Sequence, residues 1–159
     1  SSDLSFTAVE LITGPSLRGA FSFTLNHIEM KFTLDRQDDG YVRHLEGNKY
    51  AWRGQSVFGK YVVSLYAGKF AYCFPKTGLE DKEGYTHIEL CIMNENGEMH
   101  SYEDMQPIFD VIGYGDWPST KEDYLKVEEL MEGEHIFYIF PYTPVEKLDA
   151  LYDFLTNNK

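Results

Sequence analysis

Apolar and polar residues alternate with period two at Phe21 to Leu34 and at Thr86 to Met93, strand composition fills much of the stretch between, and helical spacing appears only beyond Ser119. Period two lays alternate side chains on one face of a sheet, whereas a 3.6-residue period lays a stripe along a helix. Strands first and helices late is the order of an α+β domain. The expected fold is therefore a mostly antiparallel sheet of about six to eight strands, with two C-terminal amphipathic helices packed on one face.

The alternation is cleanest at Thr86 to Met93, where Ile88, Leu90 and Ile92 fall on one side and His87, Glu89, Cys91 and Met93 on the other. Between Phe21 and Leu34 the apolar residues change parity, odd up to Leu25 and even from Ile28. A two-residue turn at Asn26-His27 accounts for the switch by pairing Leu25 with Ile28, Phe23 with Met30 and Phe21 with Phe32. A bulge in one long strand accounts for it equally. Arg36 to Gly40 reads as a turn on its Asp-Gly pair. Tyr41 to Leu45 and Lys49 to Trp52 read as strands around Glu46-Gly47-Asn48. Val57 to Ala67 and Lys69 to Phe74 carry strand composition on either side of Gly68, and Pro75 to Gly84 reads as a loop. Asn94 to Gly97 turns the chain, with Met99 to Tyr102 as the returning strand.

In the last third, Ser119-Thr120-Lys121-Glu122 has the form of a capping box, and Tyr124, Val127, Leu130 and Met131 follow at helical spacing up to Gly133. His135 to Tyr142 is a dense apolar strand. Thr143-Pro144-Val145-Glu146 is a second capping box with Pro at the first helical position, followed by the stripe Leu148, Leu151, Tyr152 and Leu155. No repeat interrupts this order, so residues 1–159 are expected to form one domain. Ser1-Ser2 are read as a remnant of tag removal.

The 14 basic and 26 acidic residues give a net charge of −12, and they are unevenly placed. Residues 1–82 carry a net +1 and residues 83–159 a net −13. Such a balance opposes binding along a duplex phosphate backbone. No apolar run reaches the ~18 residues of a membrane span. Two cysteines, Cys73 and Cys91, are too few for a disulfide scaffold and read as reduced thiols in strands. With no charged-then-apolar leader, the expected location is cytoplasmic.

Motifs for chemistry are incomplete. Gly54-Gln55-Ser56-Val57-Phe58-Gly59-Lys60-Tyr61 has the spacing of a phosphate loop, but Tyr61 stands where a Ser or Thr must reach Mg²⁺. His87-x-Glu89 resembles the His-x-Glu of zinc deaminases, and the Pro-Cys-x-x-Cys that completes their site is absent. His87, His100 and His135 near carboxylates leave a surface metal site open, and His87 or His135 with a carboxylate leaves a hydrolase or lyase open. No metal and no cofactor are expected.

The function expected from the charge map is that of a small acidic interaction protein. Its C-terminal half would engage a basic protein surface, nucleic-acid-binding proteins included, with homodimerisation left open. The residues singled out for that contact are Asp110, Tyr114, Asp116, Trp117, Glu122, Asp123, Tyr124, Glu128, Glu129 and Glu132. Compact acidic proteins without a catalytic motif include inhibitors that viruses and mobile elements direct at host nucleases or defence factors, some by mimicking nucleic acid. The alternative is a nucleotide-like ligand held by Arg43, Trp52, Arg53, Lys60, Tyr61 and Tyr72, where cations interleave with aromatic rings.

Overall fold

A computed structural model describes residues 30–38, 50–132, 134 and 136–158. Of the proposed hairpin over Phe21 to Leu34, residues 21–29 lie outside the described residues and 30–34 are not a strand; the strand Tyr41 to Leu45 with the turn after it, and Arg43, Gly133 and His135, also lie outside the described residues.

Five strands form one antiparallel sheet in the order β1-β2-β3-β4-β5: β1 (Asp35–Asp38), β2 (Tyr50–Phe58), β3 (Tyr61–Ala67), β4 (His87–Met93) and β5 (Tyr138–Pro144). Three α-helices among the described residues join it in an α+β arrangement: α1 (Tyr102–Ile112), α2 (Lys121–Leu130) and α3 (Val145–Asn157). No helix among the described residues is long and apolar enough to cross a membrane.

The register explains the core. Val63 pairs with Ile92 and Leu65 with Leu90, while Ile92 and Leu90 pair with Tyr138 and Phe140 on the other side. One face of the sheet is thus continuously apolar, and all of these side chains are buried. Met105, Ile108, Phe109 and Ile112 of α1, Tyr124 of α2, and Leu148, Leu151 and Leu155 of α3 join the same core. On the reverse face Arg53 pairs with Tyr66, and Tyr66 with Glu89.

The expected six to eight strands are corrected to five among the described residues, and two helices to three. Lys69 to Phe74 is not a strand: the Ala71 N–H closes a turn onto the Gly68 carbonyl, and only Phe74 bridges to His87. Met99 to Tyr102 is not a returning strand but the entry to α1, where the Ser101 hydroxyl accepts the Asp104 N–H at 3.3 Å. Pro107 inside α1 removes one backbone donor. Burial of four apolar residues on one side of α1 outweighs that local loss. Arg36 to Asp38 belongs to β1 rather than to a turn. The single strand read at Val57 to Ala67 is two strands joined at Gly59-Lys60, with Phe58 paired to Tyr61. Gly59 has φ +61°, as the first position of a type II′ hairpin turn requires. The phosphate-loop match is therefore a hairpin turn.

Both caps also shift by one residue. Thr120, not Ser119, accepts the Asp123 N–H at 3.1 Å and starts α2. Pro144 is the cap of α3 rather than its first helical residue, and the Thr143 hydroxyl donates instead to the Phe140 carbonyl at 2.9 Å.

Candidate functional site

The C-terminal end of α2 faces the connector from β4 to α1 across a groove of about 210 Å³. Four apolar residues, Met99, Val127, Met131 and Ile136, and four carboxylates, Glu98, Glu128, Glu132 and Glu134, line it. Val127 and Glu128 reach it from the last turn of α2, and Met131 and Glu132 from the cap and the turn that follow. After Met131 the chain doubles back, the Glu134 N–H donating to the Met131 carbonyl at 2.9 Å, and this brings Glu134 and Ile136 to the groove.

The electrostatics of this end are unfavourable by construction. A helix C-terminus carries partial negative charge and is stabilised by Lys or Arg, yet the last turn of α2 has no basic residue. Glu132 and Glu134 follow just past the Met131 cap and add like charge beside this end of the helix. Glu128 has a compensating role, because its carboxylate accepts the Tyr102 N–H at 3.1 Å and so neutralises a free donor at the start of α1.

The remaining residues singled out for partner contact fall in different places. Glu122, Glu129, Asp110 and Asp116 are exposed, and Asp123 is half-buried beside the Thr120 cap. Trp117 is 66% exposed on the α1–α2 loop. That loop is fastened from beneath: the Tyr138 hydroxyl donates to the Pro118 carbonyl and accepts the Gly115 N–H at 2.8 Å. Tyr114 is half-buried, its ring stacked on Phe109 at 4.1 Å and its hydroxyl 2.8 Å from that of Tyr102. Tyr124 is a correction. It is fully buried, donates to the His100 carbonyl at 2.6 Å, and belongs to the core rather than to a contact surface. Glu98, Met99 and Ile136 were missed, because only the tertiary fold brings residues 98–99 against 127–136.

The alternative ligand set is not brought together as one site. Lys60 and Tyr61 border a cleft of about 380 Å³ between the β2–β3 turn, Pro107 and the Phe154–Leu155 end of α3. Trp52 donates its indole N–H to the Leu79 carbonyl at 2.9 Å. Arg53 lies on the reverse sheet face, its guanidinium 3.8 Å from the Tyr66 ring centre. Tyr72 follows from the 68–71 turn.

Beside the first cleft sits a small polar cluster. Lys60 is 2.7 Å from Asp104, whose backbone carbonyl accepts the Tyr61 hydroxyl. His100, only 5% exposed, lies 3.1 Å from the Met93 carbonyl through Nε2 and 3.7 Å from the Asp104 carboxylate through Nδ1. Burial lowers the His100 pKa, and the Asp104 charge opposes that shift only in part. A histidine held neutral by the fold takes up its proton in the unfolded chain first, so stability falls as pH drops below about 6.5. The loss ends once folded His100 also protonates. One proton's difference limits the slope to about 1.4 kcal/mol per pH unit. Urea unfolding of the parent and of His100→Gln between pH 7.5 and 5 measures it, the variant being expected to lose this part of the slope.

Neither thiol is poised for chemistry. Cys91 is pushed up to about 12 by burial and by the Glu89 charge, and burial raises Cys73. A reactive thiolate requires the opposite shift. No group of three or more His, Cys, Asp or Glu that could hold a metal ion occurs among the described residues.

No protein-family profile, curated protein or solved structure matches this chain.

Proposed function

We propose that this is an interaction protein of inhibitor type whose acidic groove at the end of α2 receives a lysine- or arginine-bearing segment of a basic partner protein. The observation that supports this reading is the combination of four carboxylates with four apolar residues at the negative end of a helix. Lys and Arg side chains have that same dual character, an aliphatic stem and a cationic head. A cation seated there offsets both the helix dipole and the repulsion between carboxylates. Trp117, exposed on the loop before the other end of α2, is a separate large side chain open to a partner. The same acidity would suit a nuclease or another nucleic-acid-binding protein as the partner, by steering its basic surface.

The test uses a fluorescent peptide of alternating Lys and Ala, followed by anisotropy. Binding is expected to weaken steeply with salt. Glu132→Lys with Glu134→Lys is expected to lower affinity about tenfold or more at low salt, in line with the cost of like charges facing each other. The same pair is expected to leave the fold as stable as the parent, or slightly more so, because it places cations at a helix C-terminus. Salt-independent binding, or binding that the double reversal leaves unchanged, would exclude the groove.

A further inference from the structure

Away from the groove, the reverse face of the sheet carries two groups of aromatic rings and cations, Arg53 with Tyr66 and Lys76 with Tyr72 and Tyr142, on either side of Glu89. Arg53 pairs with Tyr66 and stacks on it at 3.8 Å, and Tyr66 pairs with Glu89. The Glu89 carboxylate accepts the Tyr72 N–H at 2.9 Å, and the Tyr72 carbonyl accepts the Tyr142 N–H at 2.9 Å. The Tyr72 and Tyr142 rings stand 6.0 Å apart, and the Lys76 ammonium lies 5.0 Å from the centre of the Tyr72 ring.

Tyr142 reaches this position through an irregularity. Ile88 pairs with Thr143 and Leu90 with Phe140, so Pro141 and Tyr142 together oppose the single residue Glu89. Tyr142 takes φ +52° in this bulge, a conformation that bulky L residues rarely adopt. Bulges of this kind re-aim side chains, and here the outcome is a ring delivered to solvent beside Tyr72. Phe70, Tyr72, Phe74 and Tyr142 are about half exposed, whereas Ala71 and Cys73, which alternate with the first three, are fully buried. The segment thus turns its small residues inward and its large rings outward, the reverse of what burial alone would select.

We infer that this face is a stacking platform for a short single-stranded nucleic acid, bases lying on Tyr72 and Tyr142 and phosphates meeting Arg53 and Lys76. Aromatic faces with interspersed cations are the two elements such binding needs, and they tolerate any base. A duplex keeps its bases stacked on each other and offers these rings nothing. The net charge of −12 repels a long polyanion, which limits the bound stretch to a few nucleotides. The platform and the acidic groove share no residue, so each stands without the other.

The experiment is anisotropy of fluorescent dT10 and rU10 with the full chain at 50 and 200 mM salt. The same 10-mers as duplexes and the mononucleotide UMP serve as competitors. Both single strands are expected to bind, with affinity falling about tenfold across that salt range for two to three phosphate contacts. Tyr72→Ala and Tyr142→Leu are each expected to weaken binding about tenfold, and Tyr142→Phe, which keeps the ring, to bind as the parent does. Circular dichroism of each variant reports folding, and Tyr142→Leu preserves apolar bulk where Ala would not.

Absence of single-strand binding at 50 mM salt overturns the proposal, as does equal competition by duplex. UMP competing as well as the 10-mers would make the site a nucleotide pocket and overturn the strand platform. A dimer in sedimentation that Tyr142→Leu dissociates would assign the face to a second copy and overturn it too.

Discussion

Tyr124→Ala is expected to lower the free energy of unfolding by about 4 kcal/mol, a large share of the roughly 5–15 kcal/mol that holds a domain together. The side chain is fully buried, with the rings of Tyr102, Phe109 and Tyr138 all between 5.5 and 5.6 Å from its own. Alanine leaves that space empty, and interiors this closely packed relax only partly around a void. It also strands the His100 carbonyl, which accepts the Tyr124 hydroxyl at 2.6 Å. Tyr124→Phe separates the two losses, since it keeps the ring and removes only the donor, at a cost of about 1–3 kcal/mol. In thermal melts the Ala variant is expected to fall by roughly 10 °C or more, and the Phe variant by a few degrees. The alternative role, a contact residue on the acidic surface, forecasts intact melting and lost binding. A Tyr124→Ala protein that melts with the parent would return the residue to the surface.

What the sequence made legible follows the strength of local signals. β4 was readable almost residue by residue, because alternation over seven positions has one interpretation when one face is buried. α3 was readable because Leu148, Leu151 and Leu155 fall on one stripe with no helix breaker inside. α1 was not, because Pro107 and the glycines after it speak for a loop, and only the buried contacts of Met105 and Ile108 decide otherwise. Tyr124 shows the same limit in another form. Its neighbours Glu122, Asp123 and Glu128 mark α2 as a wet helix, and composition cannot say which side of a helix faces the core. The acidic half of the groove was legible as a run of glutamates, whereas its apolar lining and Glu98 depended on a contact between segments about thirty residues apart. The reverse-face platform was half legible. Arg53 and Tyr72 stood out as cation and ring, but the bulge that adds Tyr142 has no signature in sequence.

Gly54→Ala is expected to cost about 3 kcal/mol, at the upper end of what overpacking exacts, and Gly54→Val more. Gly54 lies within β2 opposite Leu65, on the sheet face that holds the core. A Cβ added there would lie 2.1 Å from the Thr33 carbonyl oxygen and 3.1 Å from Leu34, where ordinary contact begins at 3.4 Å. The obstruction is backbone, so no side-chain rotation relieves it, and the segment through Thr33 has to retreat by more than an ångström. That segment carries Phe32 and Leu34, both buried, and the Phe32 ring meets Phe58 at 6.0 Å and Tyr152 at 5.1 Å edge to face. Displacing it therefore loosens the contact among residues 32–34, β2 and α3 at once. Gly59→Ala in the same stretch is the informative comparison. Nothing lies within 4 Å of a Cβ at Gly59, and the only penalty is its φ of +61°, worth about 1–2 kcal/mol for an L residue. Urea unfolding of the two variants side by side is expected to rank Gly54→Ala clearly below Gly59→Ala. The reverse order would mean that Thr33 does not cross over Gly54. With the expected order, the two glycines that resemble a phosphate loop are explained by a close backbone approach and a hairpin turn, and no phosphate is needed to account for either.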